Sequence, residues 1–297
     1  MIIIAGSSHP QLAKSIATQL NIPFIQANTQ RFEDQELRVQ VDGSLYEEDV
    51  IIIQSTSKPA NDHLMELLLL ADTAKRAGAR RVITAIPYFG YSRQDRPSYK
   101  HGPLSASLVA TLIESAGVTR VLTLDLHSRQ TEGFFKVGVH NLSPLPLYAS
   151  LFPTAQKDDY IVVSPDIGGL LRAQELSQTL GVDLAVINKS RPHHGECEMS
   201  EVIGTIIGKK CILIDDIIDT GGTLCQAARL LMEKGALSVT ACVTHAVLSK
   251  NCITLVEESP IDTLYITNSI NQETLPSNCK VIPAETIFAE ALRVFMR

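Results

Sequence analysis

Short apolar runs of four or five residues recur along the chain at Ile2–Ala5, Val50–Ile53, Val82–Ile86, Val121–Leu124, Tyr160–Val163, Leu184–Ile187, Cys211–Ile214, Val239–Val243 and Thr263–Ile266. Most lead into a loop of small residues and then a segment of helical periodicity. Continuous apolar runs of this length suit strands buried on both faces. Their alternation with helices calls for parallel pairing through crossovers. The pattern predicts an α/β protein.

The pattern also repeats. Ile4 and Val163, Leu20 and Leu180, Ile53 and Ile214, and Gly78 and Gly235 each stand roughly 160 positions apart, in the same order. Two similar domains are expected, each a mainly parallel sheet flanked by helices. Gly78 and Gly235 sit where a helix stops and suit a left-handed residue just past its end. Pro144, Pro146 and Pro153 interrupt the pattern over Asn141–Pro153, so the domains are expected at 1–145 and 146–297. The last helix could pack back on the first of them. Leu64–Ala77 reads as a helix whose apolar positions exceed one buried face, hence either a doubly buried core helix or a subunit contact.

Composition narrows the class. A chain of 297 residues, 45% hydrophobic and 20% charged, is neither disordered, collagen-like nor a coiled coil. Its formal charge of −6 argues against a general nucleic-acid or anionic-lipid surface, so anionic substrates need local cations or metals. The six cysteines form no CxxC pair and read as reduced thiols. Met1–Gly6 carries no basic n-region, and no apolar run approaches a membrane span of about 18 residues. The expectation is a cytoplasmic protein with no membrane contact.

The halves differ where chemistry would occur. Asp215-Asp216-Ile217-Ile218-Asp219-Thr220-Gly221-Gly222-Thr223 places carboxylates at a strand end and a small-residue turn before a helix expected from about Leu224. Exposed N–H groups at a helix N-terminus bind a phosphate monoester, and glycines let it approach. The acidic pair would repel that phosphate, so its natural partner is a diol or a metal ion. Together they suggest a ribose 5-phosphate pocket. The matching first-half loop, Gln54–Pro59, has neither glycine pair nor acidic pair, so one sugar-phosphate site per chain is expected.

Lys189 and Arg191 follow a strand in a polar stretch, where two cations could close over a transferring group or simply be solvated. His127 and Asp166 follow the strands Val121–Leu124 and Ile161–Val163, on the usual ligand side of an open sheet. Arg93, Gln94 and Arg96 cluster after Val82–Ile86, and Phe32, Asp34, Gln35 and Glu36 form a polar segment with one aromatic. The remaining histidines receive no catalytic role.

The segment Asp215–Thr223 resembles the phosphoribosyl-pyrophosphate loop of type I phosphoribosyltransferases. Arg31–Glu36, Pro87–Arg96, Asp125–His127, Glu132–Phe135, Ser164–Gly169 and Lys189–Pro192 narrow the resemblance to the ribose-phosphate pyrophosphokinase family, from Ile4 to about Ile270. The resemblance implies a duplicated phosphoribosyltransferase-like fold. It also implies Mg²⁺-dependent transfer of the β,γ-pyrophosphoryl group of ATP to the C1 hydroxyl of ribose 5-phosphate, giving phosphoribosyl pyrophosphate (PRPP) and AMP. Catalysis there is mostly positioning and charge neutralisation. By the same resemblance Lys189 and Arg191 are catalytic, Arg191 also meeting the sugar phosphate. His127 and Asp166 are Mg²⁺ ligands, although a hard cation prefers oxygen and His127 could equally touch phosphate. Phe32, Asp34, Gln35, Glu36, Arg93, Gln94, Arg96 and His127 contact ATP. Asp215, Asp216, Asp219, Thr220, Gly221, Gly222 and Thr223 hold ribose 5-phosphate. In the family the Phe32–Glu36 loop reaches a neighbouring subunit's ATP site, implying a homo-oligomer, a dimer-based tetramer or hexamer.

The chain departs from many members at Tyr46, where an arginine serves a site for the regulators phosphate and ADP. It also departs at the less basic Pro97–Lys100, and it stops at Arg297. Weak or absent regulation by those ligands is the expectation. Two other readings remain: a phosphoribosyltransferase that consumes PRPP, and a non-catalytic PRPP-binding regulator.

Overall fold

The computed structural model describes residues 1–97, 99–153, 158–190 and 199–296, with the backbone alone at 189, 190, 199 and 200. The chain forms two compact units, one of Met1–Ser143, Asn268–Asn271 and Pro283–Arg297, the other of Pro144–Thr267 and Gln272–Ile282. The first contains β1 (Ile2–Ala5), α1 (Pro10–Leu20), β2 (Phe24–Gln26), β3 (Asn28–Arg31), β4 (Leu37–Gln40), β5 (Asp49–Ile53), α2 (Ala60–Arg76), β6 (Arg81–Ile86), α3 (Ser105–Ser115), β7 (Arg120–Leu124) and β8 (Gly138–Leu142). The second contains α4 (Leu145–Ser150), β9 (Tyr160–Ser164), α5 (Leu170–Leu180), β10 (Asp183–Ser190), β11 (Met199–Ile203), β12 (Lys210–Ile218), α6 (Gly222–Glu233), β13 (Ser238–Ala246), α7 (Cys252–Glu257), β14 (Ile261–Thr267) and β15 (Cys279–Ile282). The last helix, α8 (Glu285–Arg293), belongs to the first unit.

All nine apolar runs are strands. The first sheet runs β2-β1-β5-β6-β7-β8 and the second β11-β10-β9-β12-β13-β14-β15. Apart from the antiparallel addition of β11 to β10, both sheets are parallel and repeat one strand order. In each, the connections turn back between two neighbouring strands: β1 and β5 in the first unit, β9 and β12 in the second. Ligands of open α/β sheets bind outside the strand C-termini at such a switch point.

Side-chain alternation explains why the runs are apolar throughout. In the first sheet Ile4, Val50, Ile52, Val82 and Val121 face Leu67, Leu70, Ala71 and Ala74 of α2 and Val109, Ala110 and Ile113 of α3. Their neighbours Ile3, Ile51, Ile53, Ile83 and Leu122 face Leu12, Ile16 and Leu20 of α1 and Phe288, Ala289 and Leu292 of α8. In the second, Ile161, Val163, Leu213, Val239 and Ala241 pack with α6 and α7, while Val162, Ile212, Ile214 and Cys242 pack with Tyr148, Ala173 and Leu176. Each unit is a sheet between two helical layers.

Several boundaries differ from the sequence reading. β12 continues through Ile218 because its pairing with β13 persists to Ile218 opposite Ala246. Asp215 and Asp216 therefore lie within a strand. β10 reaches Ser190, so Lys189 lies within a strand, paired with Ser200 of β11, rather than after one. α2 begins at Ala60 and buries one face, leaving Met65 50% exposed, so it is not doubly buried. α6 begins at Gly222. Gly78 and Gly235, at φ +81° and +93°, follow α2 and α6 in the left-handed conformation expected of them.

Candidate active site

In the second unit, Asp166 follows β9, and the segment Asp215–Thr223 runs from the last residues of β12 into the start of α6, at the switch point. Asp166 Oδ1 accepts a bond from Gly169 N at 3.0 Å, and Ser164 Oγ donates to Asp166 O at 2.7 Å. A Cβ on Gly169 would lie 2.9 Å from Ser164 Oγ, so a larger residue there would push that hydroxyl aside. Asp215 Oδ1 accepts from Asp216 N at 2.9 Å. Burial first, then the neighbouring Asp216, push the Asp215 carboxyl well above the ordinary carboxylate range. Arg172 of α5 opposes that rise, its Nη1 lying 3.6 Å from Asp216 Oδ1, whereas Asp166 adds to it. Among the described side chains, the cluster sets three acids against one guanidinium.

Asp219 closes the strand and opens the turn. Its Oδ1 accepts from Ser249 Oγ, and its carbonyl accepts from Ser249 N at 2.8 Å. Gly221 caps α6 at φ +81°, with Cys252 directly behind it. Thr220 and Thr223 are exposed, and Gly222 is half-buried. The first N–H groups of α6 are therefore presented beside two exposed hydroxyls, an arrangement that can bind an anion.

In the first unit, β3 and β4 form a two-stranded hairpin whose tip carries Phe32, Asp34, Gln35 and Glu36, all exposed. Phe32 N donates to Glu36 O and Gln35 N to Phe32 O, both at 2.9 Å, and Asp34 Oδ1 accepts from Glu36 N at 3.2 Å. Phe32 is 51% exposed, so the aromatic is not a core residue of the hairpin. Gln35 holds φ +74°.

Arg93, Gln94 and Arg96 lie exposed in the loop after β6, and His127 lies exposed after β7. Gln130 Nε2 donates to Asp95 Oδ2 at 2.6 Å, joining these loops. Gln94 Oε1 accepts from Ser105 Oγ at 2.6 Å, which ties the loop to the start of α3. Tyr91 and Asp125 adopt φ of +64° and +45°. Left-handed non-glycine residues are held only where surrounding structure fixes them, and they gather at functional sites.

Lys189 contributes only its backbone position, and Arg191 lies outside the described residues. Among the described residues no group of three or more His, Cys, Asp or Glu side chains is arranged to hold a metal unaided. None of their helices is long and apolar enough to cross a membrane.

The sequence reading missed Arg172, Ser249, Gln54 and Glu66. Arg172 and Ser249 gave no signal, because their partners are distant in sequence. Glu66 gave one: a carboxylate inside the apolar stripe of Leu64, Leu67, Leu70 and Ala74, where it is 1% exposed.

Known proteins show the same organisation. Residues 1–117 match the family model of the N-terminal domain of ribose phosphate pyrophosphokinase, and residues 147–273 match that of the phosphoribosyl transferase domain. A ribose-phosphate pyrophosphokinase of Agrobacterium fabrum is 47% identical over 300 aligned residues, spanning 98% of this chain and 96% of that protein. One of Brucella melitensis is 46% identical over 296, with the same coverage. The crystal structure of phosphoribosylpyrophosphate synthetase from Mycobacterium smegmatis superposes with a TM-score of 0.93 at 34% identity, covering 99% of this chain and 98% of that one.

Proposed function

The chain belongs to the ribose-phosphate pyrophosphokinase family, and from that premise we propose how its residues divide the work. The reaction joins the β,γ-pyrophosphoryl group of ATP to the C1 hydroxyl of ribose 5-phosphate. The C1 oxygen attacks the β-phosphorus, and the bond from that phosphorus to the α-phosphate's bridging oxygen breaks. AMP leaves with that oxygen, the hydroxyl proton passes to solvent, and PRPP remains.

The observation that carries the assignment of roles is the loop at the second unit's switch point. The N-terminus of α6, with Thr220, Gly221, Gly222 and Thr223, receives the 5-phosphate. Asp215 and Asp216 accept bonds from the ribose hydroxyls, and Asp219 is held by Ser249 at the turn. Arg172 pairs with Asp216 and orients it. Asp166 and His127 are the residues that would hold Mg²⁺, and the ion would neutralise charge on the transferring phosphates. Phe32 stacks on the adenine, Asp34, Gln35, Glu36 and Gln94 bond its edge or the ribose, and Arg93 and Arg96 meet the phosphates. Lys189 and Arg191 stabilise charge that builds on the pyrophosphoryl group in the transition state.

A homo-oligomer, a dimer-based tetramer or hexamer, agrees with the exposed Leu108 and Leu112 on α3, Leu104 just before it and Met65 on α2. The protein works in the cytoplasm. At Tyr46, 68% exposed and packed against Gly78, an aromatic ring replaces the cation that an anionic regulator would need. ADP therefore inhibits by competing with ATP, and phosphate raises turnover little. The decisive assay is AMP release from ATP, Mg²⁺ and ribose 5-phosphate. Absence of AMP, with base-dependent release of pyrophosphate from PRPP, would replace the proposed roles with those of a phosphoribosyltransferase.

A further inference from the structure

The duplicated fold gives each unit a switch-point crevice, and the first unit fills its own. Glu66 projects from the second turn of α2 to the ends of β1 and β5. Its Oε1 accepts from Ser7 N at 2.9 Å and Thr29 Oγ1 at 2.6 Å. Its Oε2 accepts from Ser7 Oγ and from Gln54 Nε2, the latter at 2.6 Å. Gln54, fully buried, accepts from Ser8 N at 3.1 Å and Ser8 Oγ at 2.7 Å through Oε1. A Cβ on Gly6 would come within 2.2 Å of that oxygen. The protein's own carboxylate and amide thus occupy the ground that the second unit leaves to a ligand.

One of those four bonds leaves the crevice. Thr29 is on β3, three residues before Phe32. A two-stranded hairpin is marginal by itself and needs external ties. The first turns of α2 supply others as well: Asp62 Oδ2 lies 2.6 Å from Arg31 Nη2, and Arg31 Nη1 donates to Gln35 O at 3.1 Å. Asn61 Oδ1 accepts from Tyr91 OH, in the loop of Arg93 and Gln94.

We propose that Glu66 is a positioning residue for the nucleotide, acting through Thr29 to fix the Phe32–Glu36 hairpin. The inference rests on the reading that this hairpin contacts ATP. The chemistry calls for a carboxylate. Each Glu66 oxygen faces one donor that cannot reverse, Ser7 N at Oε1 and Gln54 Nε2 at Oε2. A glutamine would set its amide N–H against one of them in either orientation, leaving a buried donor unpaired.

The test is steady-state kinetics of the full chain with Thr29→Val, Thr29→Ser, Glu66→Gln and Phe32→Ala. Thr29→Val removes one hydroxyl from a half-buried site, so the protein folds even if Glu66→Gln does not. The expected result is a rise in KM for ATP of about tenfold in Thr29→Val, with KM for ribose 5-phosphate, kcat and Tm close to wild type. Thr29→Ser restores KM, and Glu66→Gln, if folded, shows the same selectivity with a larger rise. A Thr29→Val enzyme with wild-type KM for ATP, while Phe32→Ala raises it, overturns the positioning role and spares the hairpin reading. An unchanged KM in Phe32→Ala overturns the hairpin reading and this inference with it.

Discussion

Gly221→Ala tests the phosphate loop most sharply, because the backbone and the packing make separable demands there. Gly221 holds φ +81°, where a Cβ costs about 1–2 kcal/mol. The added Cβ would also lie 3.0 Å from Cys252 Sγ, closer than ordinary contact, so the thiol or the turn must yield. Crowding of a packed site adds about 1 kcal/mol at the low end of its range, since one atom is involved. The sum, about 2–3 kcal/mol, lowers Tm by roughly 4–12 °C if the second unit melts as a domain of its size. Wherever the turn relaxes instead, the first N–H groups of α6 shift, and every ~1.4 kcal/mol lost in phosphate binding raises KM for ribose 5-phosphate tenfold. Gly222→Ala is the control: its Cβ would meet only Thr220 Oγ1, at 3.9 Å, and its φ is not left-handed. That variant keeps Tm, so any rise in its KM reports the phosphate's approach rather than strain. Scanning calorimetry and initial rates measure both quantities. Cys252→Ala in the Gly221→Ala background should return the crowding part and leave the dihedral part, which a double-mutant cycle isolates. Wild-type Tm and KM in Gly221→Ala, or no coupling to Cys252, would refute the reasoning.

Three further outcomes follow from the charges. Asp49, 3% exposed, accepts from Arg80 Nε and Arg81 Nε, each at 2.9 Å, and these guanidiniums hold its carboxyl well below the ordinary range. A lowered carboxyl pKa contributes stability above the unfolded value and loses it as pH falls, so Asp49→Asn should lower Tm at neutral pH. The difference should shrink below about pH 4 in thermal melts across pH. Asp215 is shifted the other way, so in the unliganded protein its charge costs stability once pH rises above the unfolded value. Asp215→Asn should raise Tm at pH 7, show no gain below about pH 4, and lose most turnover. Lys189→Ala should cut kcat about 10²–10³-fold with little change in either KM, and near-normal turnover in stopped-assay AMP release would remove its catalytic role.

The legible parts of the fold were those whose signal is local. Runs such as Val50–Ile53 and Cys211–Ile214 announced doubly buried strands, and Gly78 and Gly235 announced helix ends. The strands that escaped notice are short or polar: β2, β3, β4, β8, β11 and β15. Asn28–Arg31 carries no apolar residue, and Leu37–Gln40 alternates over only four positions, too short a run to stand out. The reach of β12 past Ile214 was equally hidden, because hydrogen bonds to β13 continue through two aspartates that break the apolar run.

By itself the sequence determined the α/β class, the internal duplication and the single glycine- and acid-rich loop, because each is written in the order and spacing of neighbouring residues. The tertiary structure decided what fills the first unit's switch point. Gln54, just past β5, and Glu66, on α2, lie twelve positions apart, and only the parallel sheet brings them to Ser7, Ser8 and Thr29. It likewise set Arg172 beside Asp216 and Ser249 beside Asp219. Hydrogen bonds across such separations depend on where chain segments meet after the core has formed, and no local pattern records that.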